Sequence, residues 1–384
     1  MPAGVAGAIV ARTWMVAALA LAADVPPGQI VDAVTCAADP TQSYAIFLPR
    51  AYAPDRAWPV ILAFDPGGRG RTPVERYQAA ADQYGWIVAG SNNSRNNSPE
   101  IGRAVAAMSA DVLSRFRVDG RRVYVAGMSG GARVAFSVAL GSPDHVAGVI
   151  ASSAGYPDDK PRKTLPFPVF ATAGTEDFNH LELRRLDRAL TSPHRLAVFE
   201  GGHVWLSSDL AIEAVEWMEL QAMKSGRKPR DESEIDRLFA RRVAAAGQPR
   251  TDLARHLSLR AIVEDFDGLK DVKALAAESA ALARDKTIRA ALKKGEDEDD
   301  REERMLHEVW KLEGQLASSD DRTALLADLR RRWQTASDAA KKPEDSSERR
   351  LARRVLSGLN ANLRSADPDY LKIIAEHRPA RGGR

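Results

Sequence analysis

Five residues in mid-chain, Gly127-Met128-Ser129-Gly130-Gly131, follow directly on an apolar, β-type run at 123–126 and precede a helix-like stretch at 132–140. Between a strand and a helix, the spacing G-x-S-x-G lifts a serine out of the chain on a sharp, strained turn, and glycines flank it because a Cβ there would strike neighbouring backbone. The plain alternative is a tight turn with no chemistry. A serine hydroxyl is inert at neutral pH, so catalysis at Ser129 demands a base to take its proton and a carboxylate to orient that base. In chain order the acid comes first and the histidine second, each after a later strand. The run at 169–173 ends in Gly174-Thr175-Glu176-Asp177, and the run at 196–199 ends in Glu200-Gly201-Gly202-His203. Asp177 suits the acid better than Glu176 by its spacing from Gly174, which leaves Glu176 as a solvated carboxylate or a helix cap. Among the seven histidines, this order selects His203. His180 begins a helix-like stretch, His145 and His194 precede their strands, and His256, His307 and His377 fall in a helical tail.

Acyl chemistry also needs N–H donors for a tetrahedral oxyanion. Gly130, at a helix start, offers one. The loop after the run at 60–64, Asp65-Pro66-Gly67-Gly68-Arg69-Gly70, offers the second; Pro66 has no N–H, which leaves Gly67 or Gly68. Taken alone these glycines are a surface turn, and no Lys-Ser/Thr pair or G-x-G-x-x-G spacing supports a nucleotide site. Softer substrate-binding candidates are Asn92 and Asn93 in the Asn-rich loop 91–97, Arg95 or Arg69 as partner of a carboxylate, and Tyr156 and Trp205 as apolar walls. A loop held by its own side chains and aromatics packed in a core are the structural alternatives.

These groups need a sheet to carry them. Short runs rich in β-branched and aromatic residues stand at 44–48, 60–64, 86–89, 123–126, 146–151, 169–173 and 196–199, with helix-like stretches at 73–84, 101–116, 132–140 and 181–190 between most of them. Several runs are apolar on both faces, as in a parallel sheet covered by helices on both sides, so the fold class is α/β with a doubly wound, mostly parallel sheet. After Gly226 strand signals vanish. Apolar residues recur three or four apart at Ile235, Leu238, Phe239 and Val243, at Met305, Val309, Leu312 and Leu316, and at Leu351, Val355, Leu359 and Leu363. That pattern predicts an all-α C-terminal domain, with the acidic run 296–300 and the stretch 341–347 as exposed loops. The expected division is a signal peptide at 1–23, a catalytic domain at 24–227 and a helical domain at 228–384 that takes no part in the chemistry.

The glycine-flanked Ser129, the Gly174–Asp177 loop, His203 and the glycine-rich loop after 60–64 together resemble the α/β-hydrolase superfamily. The likeness is greatest to its small lidless members: dienelactone-hydrolase-like enzymes and the polyhydroxyalkanoate-depolymerase or feruloyl-esterase-like esterases. The resemblance covers about 36–224 and leaves the tail unassigned. It implies an esterase of the Ser-His-Asp type, without cofactor or metal. One departure is Asp65-Pro66 where relatives carry a histidine at the start of the oxyanion loop; another is the short link 154–166, too brief for a lid.

Charged residues make up 28% of the chain but nearly cancel to a net +3, so bulk electrostatics does not favour a nucleic-acid partner. A single cysteine, Cys36, excludes an intrachain disulfide and reads as a small buried apolar residue. Arg12 followed by an apolar run of about ten residues ending in Ala20-Leu21-Ala22-Ala23 has the layout of an export signal and is too short for a comfortable membrane span. The expected location is periplasmic or secreted, or cytoplasmic if the start codon is misplaced. The reading is hydrolysis of a small or polymeric carboxylic ester. A serine peptidase with the same triad is the nearest alternative, and a non-catalytic binding protein is the alternative from another class. The helical tail offers a surface for a protein partner or self-association.

Overall fold

The computed structural model describes residues 25–377 except 159, 250 and 319. The expected signal peptide at 1–23 lies outside the described residues. Eight strands form one sheet: β1 (Ile30–Cys36), β2 (Asp39–Phe47), β3 (Trp58–Phe64), β4 (Ile87–Ser91), β5 (Val118–Met128), β6 (Val146–Ser152), β7 (Val169–Gly174) and β8 (His194–Phe199), in the spatial order β1-β2-β4-β3-β5-β6-β7-β8. β1 and β2 pair antiparallel, as do β2 and β4. From β4 through β3, β5 and β6 to β7 every pair is parallel. Every residue of β3, β6 and β7 is buried, which is why these runs are apolar throughout instead of alternating. Parallel pairing also brings the carboxyl ends of β3, β5 and β6 to one edge of the sheet.

Helices α1 (Arg71–Tyr84), α2 (Ile101–Arg115), α3 (Gly130–Gly141), α4 (His180–Ala189) and α5 (Ser208–Lys224) interleave with the strands. Beyond them follow α6 (Glu232–Ala246), α7 (Asp252–Phe266), α8 (Lys273–Leu282), α9 (Lys286–Gln315), α10 (Arg322–Ala340), α11 (Ser347–Ala361) and α12 (Pro368–His377). Several start on a side-chain cap whose oxygen accepts an otherwise unpaired N–H of the first turn: Asp231 from Glu234, Thr251 from Ala254, Asp285 from Ile288 and Ser346 from Arg349.

The chain divides into two compact units. Of the described residues, the first holds those up to Thr172, with 183–197 and 204–280; the second holds 173–182, 198–203 and the described residues from Ala281 onward. In the first, Trp86, Tyr124, Phe170, Trp217 and Met218 belong to one core on the sheet. It includes α6 and α7 because buried Asp265 of α7 accepts a hydrogen bond from Trp217 Nε1 of α5 at 2.6 Å and pairs with Arg195 and with Arg242 of α6. The change of composition at 227 therefore falls inside a compact unit, and the break between units comes near 280. In the second, Trp333, Leu351, Val355, Leu359 and Tyr370 form a separate core.

Two expectations about the tail change. The acidic run 296–300 lies within α9, not in a loop. A Lys293–Asp297 pair at 2.8 Å, one turn apart, supports the helix there, and Asp299 and Glu302 are buried. Leu363 lies past the end of α11 and is 40% exposed, so it does not extend the apolar stripe. The stretch 341–347 does separate α10 from α11.

Candidate active site

In the first unit Ser129 stands between β5 and α3 with φ 54° and ψ −124°, a conformation that L side chains rarely adopt. Its N–H donates to the Ser152 carbonyl at 2.8 Å, which ties the turn to the end of β6. The flanking glycines are sterically required. A Cβ on Gly127 would lie 2.1 Å from the Gly131 carbonyl oxygen, and one on Gly131 would lie 1.9 Å from the Phe64 carbonyl oxygen. Gly130 is the first residue of α3, where no helix carbonyl can accept its N–H and where the helix dipole favours negative charge.

The glycine-rich loop departs from expectation. Gly67 N–H donates to Asp65 Oδ1 at 2.8 Å, and Gly68 N–H donates to the Asp65 carbonyl at 3.0 Å. Both predicted oxyanion donors are thus engaged within their own turn. Asp65 is fully buried, and its other oxygen accepts from Trp205 Nε1 at 2.8 Å while Arg69 Nε stands 3.0 Å from Oδ1. The Asp65 side chain is thus the carboxylate around which the loop folds.

The softer candidates also serve the fold. Asn92 accepts from Gly70 N–H at 3.2 Å and donates to the Asp32 carbonyl, and Asn93 accepts from Ser43 N–H at 2.9 Å. Trp205 belongs to the sheet core. Tyr156 is buried against Phe136, with ring centroids 5.8 Å apart, and its carbonyl accepts from Arg133. All four make contacts within the fold. Arg95 is exposed and its backbone bridges to Gly67.

Sequence reasoning missed Asn96. Its N–H donates to the Pro66 carbonyl at 2.8 Å, and its side-chain amide lies against Gly130, so close that a Cβ there would be 1.9 Å from Oδ1 and 2.7 Å from Nδ2. Asn96 is exposed, and its amide makes no hydrogen bond among the described residues. The signal was the Asn-rich loop itself; nothing in its composition distinguishes the Asn96 amide from the engaged amides of Asn92 and Asn93.

In the second unit the loops after β7 and β8 bring Asp177 and His203 together. His203 Nδ1 lies 2.8 Å from Asp177 Oδ1, which also accepts Asn179 N–H at 2.9 Å. Asp177 is fully buried, and the His203 side chain is 21% exposed. A carboxylate on Nδ1 fixes that nitrogen as the N–H donor, so the neutral ring carries its lone pair on Nε2. The Phe178 ring stacks on the imidazole with centroids 4.0 Å apart, and backbone bonds from Thr175 N–H to Phe199 and from Glu176 N–H to Gly201, both 2.8 Å, lace the two loops together. Glu176 does not contact the base; it pairs with Arg353 at 2.7 Å. His180 is a structural histidine whose Nδ1 faces the Gly174 carbonyl at 3.0 Å. The same unit contains α9 to α12, and α11 touches these loops through Arg353.

Among the described residues no group of His, Cys, Asp and Glu could hold a metal ion, and no helix is long and apolar enough to cross a membrane. No family model matches the chain, and no curated protein matches it. Solved structures similar to it include a fluorophosphonate-binding serine hydrolase of Staphylococcus aureus (16% identity, TM-score 0.40, covering 50% of this chain and 98% of that one). A ferulic acid esterase (16%, 0.41, 50% and 96%) and a dienelactone hydrolase of Anabaena variabilis (19%, 0.38, 50% and 97%) are similar to the same extent.

Proposed function

We propose that this chain is a serine hydrolase that cleaves a carboxylic ester through an acyl-enzyme. What most supports the reading is Ser129 itself: a serine at φ 54°, on a turn that needs glycines on both sides, is strained where a glycine would rest, and such strain is retained where a side chain is required. The Asp177–His203 pair supplies the matching base.

In this reading His203 Nε2 takes the proton of Ser129 as the hydroxyl attacks the ester carbonyl. Asp177 holds Nδ1–H and stabilises the imidazolium that forms. The oxyanion is met by the Gly130 N–H, and the side-chain amide of Asn96 takes the place of the engaged Gly67 and Gly68 donors. The proton then passes from His203 to the departing alkoxide, and water, deprotonated by the same imidazole, releases the acid.

A panel of p-nitrophenyl esters of increasing acyl length, run beside short peptide p-nitroanilides, tests this. We expect ester turnover that falls by a factor on the order of 10³ or more in Ser129→Ala. Cleavage of the anilides alone would make the chain a peptidase with the same residues, and turnover of neither would leave a binding protein.

A further inference from the structure

We propose that helix α11 positions the acid–base pair: Arg350, Arg353 and Arg354, on one of its faces, hold the loops that carry Asp177 and His203. The proposal rests on the triad reading for its catalytic consequence, whereas the geometry it concerns lies wholly within the second unit.

Residues 350, 353 and 354 are three and four apart, so their side chains leave α11 on the same side. Each reaches a loop residue close in sequence to a candidate catalytic group. Arg354 Nη1 donates to the Thr175 carbonyl at 2.8 Å, two residues before Asp177. Arg353 Nη1 contacts both oxygens of Glu176, at 2.7 and 3.0 Å, immediately before Asp177. Arg350 lies 3.1 Å from Glu200, three residues before His203. One turn beyond Arg354, Gly358 faces Phe178, the residue whose ring stacks on the imidazole.

The arginines are themselves anchored. Arg354 is only 7% exposed, and its Nε is held at 2.7 Å by Glu302 of α9. Arg353 Nε donates to the Ala340 carbonyl at the end of α10 at 3.2 Å, and Arg350 also pairs with Asp345. A buried guanidinium bound to one carboxylate and one peptide carbonyl is costly to place and geometrically demanding. Packing α9 against α11 needs no such group there, since their apolar contacts already form the core. The arginine face instead fixes a loop, and an error of about 1 Å in the groups it fixes is worth about 10²-fold in rate.

Arg354→Ala would remove a buried partner of Glu302 in the core of the second unit, so the test uses the more exposed pair. In the full-length chain, Arg353→Glu should lower ester kcat about tenfold or more with KM little changed, and Arg353→Glu with Glu176→Arg should restore it to within about threefold. The second readout does not depend on turnover. In histidine-labelled protein, the proton on His203 Nδ1 should give a deshielded NMR resonance that is present in the wild type, lost by exchange in Arg353→Glu and recovered in the swap. If Arg353→Glu does not fold, Glu176→Ala removes the same contact from the loop side and should give the same two losses. Unchanged kcat and resonance in a folded single variant, a swap that restores neither, or no such resonance in the wild type each overturns the proposal. A wild type without esterase activity that shows the resonance, its loss and its recovery would sink the triad reading and leave the positioning role standing.

Discussion

Removal of the buried Asp65 carboxylate should cost the first unit several of its polar contacts at once. Its carboxylate, fully buried, accepts from Gly67 N–H at 2.8 Å, Trp205 Nε1 at 2.8 Å and Arg69 Nε at 3.0 Å. The Arg69 side chain is 68% exposed, so that pair contributes little once solvent screening is included. The other two are hydrogen bonds to a buried charged acceptor, about 1.5–3 kcal/mol each. Asp65→Ala also strands the indole N–H of a tryptophan that is 7% exposed. Together these give an expected loss of about 3–5 kcal/mol. Trp205→Phe removes the donor and leaves the carboxylate its remaining partners, so it should cost only about 1–2 kcal/mol. In the double variant the stranded N–H no longer exists, and the two losses should fall short of additivity by about 1–3 kcal/mol. Urea unfolding of the four proteins, followed by intrinsic fluorescence and by circular dichroism and with m-values compared, measures the cycle. An Asp65→Ala protein within about 1 kcal/mol of wild type, or strict additivity, would refute the reasoning.

Strain at Ser129 predicts that Ser129→Gly is more stable than Ser129→Ala by about 1–2 kcal/mol, because only glycine occupies that backbone region freely; equal melting behaviour of the two inactive proteins would contradict it. If the Asn96 amide meets the oxyanion, Asn96→Ala lowers kcat on the order of 10²-fold with little change in KM, and an unaltered kcat removes it from the mechanism. Burial, followed by the nearby carboxylates of Asp111 and Asp39, pushes the Cys36 thiol from 9.0 up to about 11. Native protein at pH 8 should therefore resist iodoacetamide until unfolded. Because the folded thiol ionises later than the unfolded one, its contribution to stability is complete below about pH 9 and is lost as pH rises toward 11. Cys36→Ala should flatten that alkaline loss, and an unchanged slope would refute it.

The strands and their order of use were legible because fully buried parallel strands leave uninterrupted apolar runs, and because a serine on a strand–turn–helix needs glycines at fixed offsets. The meeting of His203 with Asp177 followed from chain order and from the spacing of Asp177 from Gly174. β1 escaped notice because as an edge strand it is partly exposed along much of its length and carries no such run. Gly67 and Gly68 misled for a different reason. Whether an N–H is free depends on how the turn closes, and here a carboxylate two residues back and a carbonyl three residues back claim them. Asn92 and Asn96 have the same side chain in the same loop, and only tertiary neighbours give one to the fold and leave the other exposed. The part of the tail was illegible in principle: Arg353 and Glu176 are 177 positions apart, and no local periodicity reports which carboxylate a helix arginine meets.

We propose Ser129 as a nucleophile activated by His203. Labelling the chain with a fluorophosphonate and locating the adduct by peptide mass spectrometry puts this to the test. A single adduct is expected on Ser129, none in Ser129→Ala, and labelling slowed on the order of 10³-fold in His203→Ala. Equal labelling of wild type and Ser129→Ala, or an adduct on another residue, would contradict it.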